Sequence, residues 1–490
     1  MTDLETRRRR ERGDASIEIV IVDKVEMTVP LSRNSFRSLS LFLLLLLLIC
    51  GADAQEPAKH EWRYAPELLR PFWQGSVMEG ESVLFIKDPK TGDAKASVLF
   101  PVKQVLAVRN SAGDITYENG RDYVWKPESR EIVLPAGSRI VSRVPSDLRR
   151  PAKSQKYQLT HRDGNGEIFF GARLEYAEMQ TCITYSHAPD LWKSAVPKFD
   201  AKVLPRSVHK LLNKQPLSIV VLGDSISAGA NASALSDGAP YQPAYPELLQ
   251  RHLAARYQGQ VALQNLSVGG TDTGWALTMI DKVVEPRPDL VIVAFGMNDS
   301  SGRAAKDYQA NIESFMAKIR ERLPDVEFIL VASMLGNRDW ITLQHEFFPQ
   351  YRDALASLRQ PGVALADLTS VWTGFLELKL DWDHSGNGVN HPNDFGHRVY
   401  AQVLATLLVP AGEPAADPEP EKTVEAGPLR LLERRLLGNY TYKDNWPNAV
   451  TVILADLDKD GRLDIVACAE RGANEIRWWR NAGRVSAKGP

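Results

Sequence analysis

Four short blocks of small and polar residues could together perform nucleophilic catalysis. They are Gly-Asp-Ser at 223–225, Asn-Leu-Ser-Val-Gly-Gly at 265–270, Gly-Met-Asn-Asp at 296–299 and His-Pro-Asn-Asp at 391–394. A serine hydroxyl is a weak nucleophile and needs a base within hydrogen-bond reach, which a histidine supplies. Glycine and asparagine can offer N–H groups to the oxyanion that forms when a carbonyl is attacked. These residue types fit acyl transfer, with the serine of the first block as nucleophile.

The elements that must position these blocks are strands and helices in alternation. Near-continuous apolar runs occur at 217–222, 290–295, 328–333 and 363–368, and amphipathic helical patterns lie between them. Such runs are typical of parallel strands that are covered on both faces, so we predict an α/β domain at 215–410. The first three blocks follow apolar runs. The carboxyl ends of parallel strands are where such sheets bind their ligands.

In order and placement, the four blocks resemble those of SGNH (GDSL-like) hydrolases, which carry Ser, Gly, Asn and His at successive strand ends. The resemblance covers residues 215–410. It implies a flavodoxin-like parallel-sheet fold, carboxylic ester hydrolysis and catalysis without a cofactor. It assigns the nucleophile to Ser225 and the base to His391. The oxyanion donors that it implies are the backbone N–H groups of Ser225 and Gly270 and the side-chain amide of Asn298.

Two of these assignments have competitors in the sequence. Gly269 is an alternative to Gly270 as the backbone donor, because the two glycines are adjacent. His384 and His397 compete with His391 for the role of base. The His-Pro context favours His391.

The third member of a catalytic triad departs from the family pattern. The family usually has aspartate three residues before the histidine, and here that position is Gly388. Asn387 could orient the ring of His391, Asp383 could fold back to do so, or a backbone carbonyl could serve and leave a Ser–His dyad. Asn387 or the dyad is favoured over Asp383. The departure could also indicate a weakened enzyme.

Residues 1–54 are interpreted as an N-terminal extension and a signal peptide. Two arginines precede the apolar run at 41–50, and Ala-Asp-Ala follows at 52–54, which is the arrangement of a cleavable secretory signal. The run is about half the ~20 residues that a spanning helix needs, so no stable membrane span is expected after cleavage. Met27 is favoured over Met1 as the true start. We therefore expect an exported protein that is periplasmic, on the cell surface or extracellular.

The segments on either side of the α/β domain differ from it in pattern. Residues 60–200 contain short apolar runs separated by turn clusters, which predicts a β-sandwich of jelly-roll type. This module could serve packing alone or present a carbohydrate-binding face. Residues 411–428 are rich in proline and glutamate, contain few large apolar side chains, and are interpreted as a linker.

The last segment, 429–490, contains a candidate calcium loop. Asp456, Asp458, Asp460 and Asp464 alternate with other residues around a glycine, which is how hard oxygen ligands are arranged about Ca²⁺. The flanking strand patterns resemble an FG-GAP/VCBS repeat of an integrin-type β-propeller. A propeller needs at least four blades, so one partial repeat predicts either a truncated or frameshifted sequence or a hairpin that docks on a neighbour.

Charge and domain order limit the function. The net charge is −2, from 59 basic and 61 acidic residues, which argues against a nucleic-acid partner. The leading hypothesis is an exported esterase that removes acetyl or similar groups from an acylated small molecule or polysaccharide. The alternatives are a GDSL lipase or lysophospholipase, and a non-catalytic adhesion or binding protein on a decayed esterase scaffold.

Overall fold

The computed structural model of the protein describes residues 62–410 in full and, outside them, the backbone of five strands. Two compact units are present. One comprises Lys59–Lys422, and the other comprises Met1–Ala58 together with Thr423–Pro490. Each unit is described by itself below.

The second unit contains one five-stranded sheet. Its strands, in spatial order, are Ala449–Ala455, Asp464–Ala469, Glu475–Trp479, Ser16–Ile21 and Val25–Pro30. Neighbouring strands are antiparallel except for the third and fourth, which are parallel. Two of the strands therefore come from the stretch that the sequence assigns to the extension and signal peptide.

Several predictions made for the terminal segments lie outside the described residues. These are the apolar run at 41–50, the cleavage site at 52–54 and the linker at 411–428. Asp456, Asp458 and Asp460 are also outside, and Asp464 is described only as the first residue of a strand. The signal peptide, the calcium loop and the FG-GAP repeat stay predictions.

The first unit contains the α/β region that the apolar runs predict. Five strands form a parallel sheet, in the spatial order Val261–Asn265, Leu217–Gly223, Leu290–Ala294, Glu327–Ala332 and Val363–Asp367. This 2-1-3-4-5 order is the flavodoxin-like one. Leu290–Ala294 and Glu327–Ala332 are buried along their whole length, which is why their sequences are almost entirely apolar.

Alternate side chains of the sheet enter two separate cores. In the strand Leu217–Gly223, Ile219 and Val221 point into one core, and Val220 and Leu222 point into the other. Helices cover both faces of the sheet: Pro205–Leu212, Tyr245–Tyr257, Thr273–Ala276, Ile280–Val284, Ala305–Arg322, Phe347–Ser357, Leu368–Leu378, Asp381–His384 and Asp394–Thr406. Within the described part of the chain, no helix combines the length and the apolar character needed to cross a membrane.

Residues 62–200 form a β-rich region. One antiparallel sheet has Thr181–Ser186 between Val77–Val83 and Gln104–Asn110. A five-stranded sheet and a two-stranded pair complete the region, with strands Val124–Trp125, Glu131–Leu134, Ala94–Ser97, Phe85–Lys87 and Ser142–Arg143 in the former and Arg149–Arg150 and Glu167–Ile168 in the latter. The β character of this region agrees with the turn pattern, and its assignment as a jelly-roll sandwich stays a prediction.

Buried polar contacts join the β-rich region to the α/β region. Lys379 Nζ lies 2.7 Å from Glu81 Oε1, and both side chains are fully buried. The carboxylate of Asp383 accepts a hydrogen bond from the backbone N–H of Leu84 at 2.9 Å. A buried charge is tolerated only when it is paired, so these contacts fix how the two regions pack.

Candidate active site

The first three blocks leave the same edge of the sheet on adjacent strands. Leu217–Gly223 lies between Val261–Asn265 and Leu290–Ala294, so the serine, glycine and asparagine blocks follow neighbouring carboxyl ends. The chain also changes direction here, because it passes from the first strand to one side and then to the other. Open parallel sheets bind their ligands at such a switch point.

The turn that carries Ser225 requires glycine before it. A β-carbon on Gly223 would lie 2.3 Å from Ser227 Oγ and 2.6 Å from the carbonyl oxygen of Ala294, so no larger residue fits. The N–H of Ala230 donates to the carbonyl of Ser225 at 2.9 Å and winds the following residues into tight turns. Among the described residues, the N–H of Ser225 itself has no acceptor, which leaves it available to a ligand.

The hydroxyl of Ser225 lies 2.9 Å from Nε2 of His391. The other ring nitrogen, Nδ1, lies 2.8 Å from Oδ1 of Asn231. The amide nitrogen of Asn231 donates to the carbonyl oxygens of Arg173 and Gly386, each at 3.0 Å. Because carbonyls only accept, these two bonds fix which end of the amide is oxygen. Nδ1 therefore carries the hydrogen, and Nε2 is free to accept the proton of the serine.

The surroundings of His391 keep its ring uncharged. Burial lowers the pKa of His391 to about 4, and the nearby His397 acts in the same direction. His397 itself donates from Nε2 to the carbonyl of Ala230 at 3.1 Å, so it is committed to the backbone beside Asn231. A neutral imidazole at ordinary pH is the form that a general base needs.

The second and third blocks follow the two strands that flank the strand before Ser225. Gly270 has φ +80°, a conformation that favours glycine, and Gly269 lies so close that a β-carbon on it would be 3.5 Å from Cβ of Ser225. Both glycines are exposed. The amide of Asn298 donates one hydrogen to the carbonyl of Thr271 at 2.8 Å and has a second hydrogen for another acceptor. The three predicted oxyanion donors thus lie on adjoining segments.

An ion-pair network holds these two blocks together. Asp299 accepts from the Thr273 hydroxyl at 2.6 Å and pairs with Arg303 Nε at 2.7 Å. A second nitrogen of Arg303 lies 2.7 Å from Asp272. The charge-assisted bonds tie the loop after Gly270 to the loop that carries Asn298.

The ring contact expected of Asn387 is made instead by Asn231. Oδ1 of the buried Asn387 accepts from the backbone N–H groups of Val389, Asn390 and His391, at 2.8, 3.0 and 3.2 Å. Its amide oxygen is therefore used to shape the loop and does not reach the imidazole. The oxygen of Asn387 is occupied by backbone N–H groups of its own loop, so Nδ1 of His391 is left to Asn231, which comes from another segment.

The other competing side chains are committed elsewhere. The carboxylate of Asp383 accepts from Leu84 and lies 3.6 Å from Lys379 Nζ, so it supports the packing of the two regions. His384 is buried and packs with its ring centre 4.5 Å from that of Phe375. Neither one contacts Ser225 or the ring of His391 within the part of the chain that the structure describes.

Asn231 is the site residue that the sequence did not indicate. It stands six positions after Ser225, in no recognisable motif, with φ +63°. Asparagine tolerates this left-handed conformation better than most residues. That preference marks a turn and says nothing about a distant ring, so no sequence signal separated Asn231 from the other asparagines.

Comparison with known families gives a match over the α/β region. Residues 221–399 match the GDSL-like lipase/acylhydrolase family. All four blocks, from Ser225 to His391, lie inside the matched range. A search of curated proteins found no match.

Solved structures that match part of this chain include several esterases. One is a two-domain esterase active on acetylated mannans, with 18% identity and a TM-score of 0.36 over 46% of this chain and 58% of that one. Its co-crystal with mannopentaose has 17% identity and a TM-score of 0.33, over 42% and 53%. Axe2, an acetylxylan esterase from Geobacillus stearothermophilus, has 17% identity and a TM-score of 0.32, over 38% and 92%.

This chain therefore spans only 53% to 58% of the length of the two-domain esterases. The family match, the three blocks at one sheet edge and the contact of Ser225 with His391 support assigning residues 221–399 to the GDSL-like lipase/acylhydrolase family.

Proposed function

We propose that the protein is a serine esterase that hydrolyses short-chain acyl esters, with acetyl esters on a carbohydrate as the preferred substrate class. The observation that carries this proposal is the distance of 2.9 Å between Ser225 Oγ and Nε2 of His391. A hydroxyl and an imidazole at this distance, with the second ring nitrogen held by a third group, form the arrangement that activates a serine nucleophile.

The proposed reaction has two halves. In the first, Ser225 Oγ attacks the ester carbonyl carbon while Nε2 of His391 takes the hydroxyl proton. The tetrahedral intermediate then collapses, and the C–O bond to the alcohol breaks as His391 returns the proton to the leaving oxygen. In the second half, His391 takes a proton from water while the water oxygen attacks the acyl carbon. The second tetrahedral intermediate then collapses, and the bond from the acyl carbon to Ser225 Oγ breaks as His391 returns the proton to Oγ and the carboxylic acid leaves.

The oxyanion would be held by fixed N–H donors. The N–H of Ser225, the N–H of Gly270 or Gly269, and the free hydrogen of the Asn298 amide are the candidates. A donor of this kind stabilises the transition state by about 3 kcal/mol, so Asn298 should matter almost as much as the base. The ion pairs of Asp299 and Arg303 keep the amide in place before substrate binds.

Two features of the site favour a short acyl group on a large alcohol. The small cavity beside the nucleophile turn, lined by Asp224, Ile226 and Ser227 among others, has a volume of only about 10 Å³, which is at the lower limit for one water molecule. It therefore offers no space to a long acyl chain. On the other side, Gly269 and Gly270 are exposed, so a bulky alcohol such as a sugar polymer could approach from solvent.

The test is a chain-length series on the full-length protein. Hydrolysis of p-nitrophenyl acetate should exceed that of the butyrate and palmitate esters, and acetate should be released from acetylated xylan or mannan. Ser225→Ala should abolish all of these activities while the circular dichroism spectrum stays unchanged. Preference for palmitate would favour the lipase alternative. No turnover of any ester, with no labelling of Ser225 by a fluorophosphonate, would favour the non-catalytic alternative.

We also propose export through the segment that ends at residue 54. N-terminal sequencing of material secreted by an expressing cell should find a mature start near Gln55. A secreted protein that retains the residues before Leu41 would contradict this proposal.

Calcium binding by Asp456, Asp458, Asp460 and Asp464 is the corresponding proposal for the C-terminal segment. Isothermal titration of Ca²⁺ into the full chain should detect a site that Asp458→Asn with Asp460→Asn weakens at least tenfold. Because these residues belong to none of the four catalytic blocks, the same double variant should hydrolyse p-nitrophenyl acetate at the wild-type rate. A parallel loss of turnover would contradict that separation.

A further inference from the structure

We propose that Asn231 is the positioning residue for His391, in place of the aspartate that the family usually has. The β-rich region holds Asn231 by a backbone carbonyl and also fills the space that the aspartate would need. This inference rests on the proposed function, because it assumes that His391 acts as the base.

The hydrogen bonds around Asn231 give its amide a single orientation. Oδ1 accepts from Nδ1 of His391 at 2.8 Å, and Nδ2 donates to the carbonyls of Arg173 and Gly386 at 3.0 Å. Turning the amide over would place its nitrogen against the ring N–H and its oxygen against two carbonyls. The network therefore fixes the ring as the Nδ1–H tautomer, with the lone pair of Nε2 directed at Ser225.

Asn231 also belongs to the same turn as the nucleophile. The N–H of Ala230 binds the carbonyl of Ser225 at 2.9 Å, and the N–H of Ala232 binds the carbonyl of Gly229 at 3.0 Å. These backbone bonds make residues 225–232 one compact turn. Because both residues belong to this turn, Asn231 keeps its position relative to Ser225. A group held in this way keeps the geometry of the base relative to the nucleophile.

The contact to Arg173 comes from the β-rich region. Arg173 also donates from its guanidinium to the carbonyl of Ser236 at 2.8 Å, in the segment that follows the turn. The neighbouring Gly171 donates its N–H to the carbonyl of Asn387 at 3.1 Å. Residues 169–176 thus contact both the nucleophile turn and the histidine loop.

Residues 169–176 also occupy the space that an aspartate at position 388 would need. Gly388 has φ +82°, and a β-carbon there would lie 2.5 Å from Cε2 of Tyr176 and 2.6 Å from the carbonyl oxygen of Phe169. Real β-carbons are essentially never found at such distances. The loss of the aspartate and the presence of Asn231 on the ring are therefore two effects of one packing arrangement.

A neutral amide can do part of what an aspartate does. It can hold the tautomer and the orientation of the imidazole, but it cannot stabilise the imidazolium with a full charge. The expected contribution of Asn231 is accordingly smaller than the ~10⁴-fold effect of neutralising a triad aspartate. We expect a value of about 10- to 100-fold in kcat.

The decisive experiment compares the full-length protein with Asn231→Ala. With p-nitrophenyl acetate, kcat should fall about 10- to 100-fold while KM changes less than about threefold, because the ring position affects the chemical step. In ¹⁵N NMR of histidine-labelled protein, the wild-type ring of His391 should show Nδ1–H. The variant should show a mixture with the Nε2–H tautomer.

Asn337→Ala is the matched control. The Asn337 amide donates to the carbonyl of Gly388 at 2.8 Å, so it supports the same loop without touching the ring. This variant should lower the melting temperature but keep kcat within about threefold and the Nδ1–H tautomer intact.

Wild-type tautomer and wild-type kcat in Asn231→Ala would overturn the inference. So would equal loss of kcat in Asn337→Ala, since that would make the effect one of loop stability. If the wild-type protein hydrolysed no ester, the proposed function would fail. The tautomer comparison would still decide whether Asn231 positions the ring.

Discussion

A β-carbon on Gly388 would lie 2.5 Å from Cε2 of Tyr176. The glycine stands three residues before His391, where SGNH hydrolases usually carry aspartate, and the tyrosine belongs to the β-rich region. Their proximity gives the departure from the family pattern a physical cause. Because Tyr176 is buried, its ring cannot move aside into solvent.

Restoring the family's residue should damage the protein. Gly388→Asp would introduce a side chain into occupied space at a backbone φ of +82°, so we expect a loss of stability and a fall in kcat/KM. Melting temperature and turnover of p-nitrophenyl acetate measure the two effects. Gly388→Ala is the control, because it carries the same clash and no charge. An aspartate variant that is faster than wild type would refute the steric explanation.

The pH dependence should follow the lowered pKa of His391. The base must be uncharged, so activity is lost when the pH falls through its pKa, which burial lowers to about 4. We expect kcat/KM for p-nitrophenyl acetate to stay near its maximum down to about pH 5 and to fall through about pH 4. A fall of kcat/KM centred near the ordinary histidine pKa of ~6.5 would contradict this prediction.

Two other titrating side chains, Asp394 and His397, lie near His391 in the chain. The assignment of the pH profile to His391 therefore needs a control. Burial lowers the pKa of His397 to about 4 and raises that of Asp394 to about 6. Asp394 accepts a hydrogen bond from the N–H of Ser233 and makes no contact with the ring of His391. Asp394→Asn should therefore leave the pH at which kcat/KM falls unchanged. If this substitution shifted that pH, the fall would have to be assigned to Asp394.

Loss of the Asn298 amide should lower kcat. Asn298→Ala removes a donor that the transition state needs more than the ground state, so we expect about a 10²- to 10³-fold fall in kcat with little change in KM. Ser301→Ala is the matched control, because among the described residues the Ser301 hydroxyl binds only the carbonyl of Asn298, at 2.8 Å. Steady-state kinetics of both variants test the assignment. A fall of less than threefold in Asn298→Ala would remove Asn298 from the oxyanion site.

The carboxyl of Asp224 should make stability depend on pH. Burial raises its pKa to about 7, with Asp299 acting in the same direction, so the folded state holds a proton that the unfolded state releases near 4. The stabilisation of the folded state that the protonated Asp224 provides is present below about pH 4 and is lost as the pH rises to about 7. Asp224→Asn cannot ionise, so its melting temperature relative to wild type should be higher at pH 8 than at pH 4. The opposite sign would show that the carboxylate is stabilised by the fold.

The parts of the structure that follow from local pattern could be predicted from the sequence. Continuous apolar runs and helical spacing indicated the parallel α/β region, because buried strands and amphipathic helices each leave a periodic trace in the chain. The positions of the serine, glycine and asparagine blocks could be predicted for the same reason, since each follows a strand of that sheet. The catalytic roles of these blocks and of the histidine block stay predictions. The jelly-roll assignment, the signal peptide and the calcium loop stay predictions.

By itself, the sequence determined which residue types stand at the edge of the sheet, and it showed that aspartate is missing at Gly388. Only the tertiary structure decided what replaces the aspartate. Asn231 and His391 are 160 positions apart, and the contact between them depends on a carbonyl of Arg173 from a third segment. Contacts of this kind arise from the packing of whole regions and leave no periodicity or spacing in the chain.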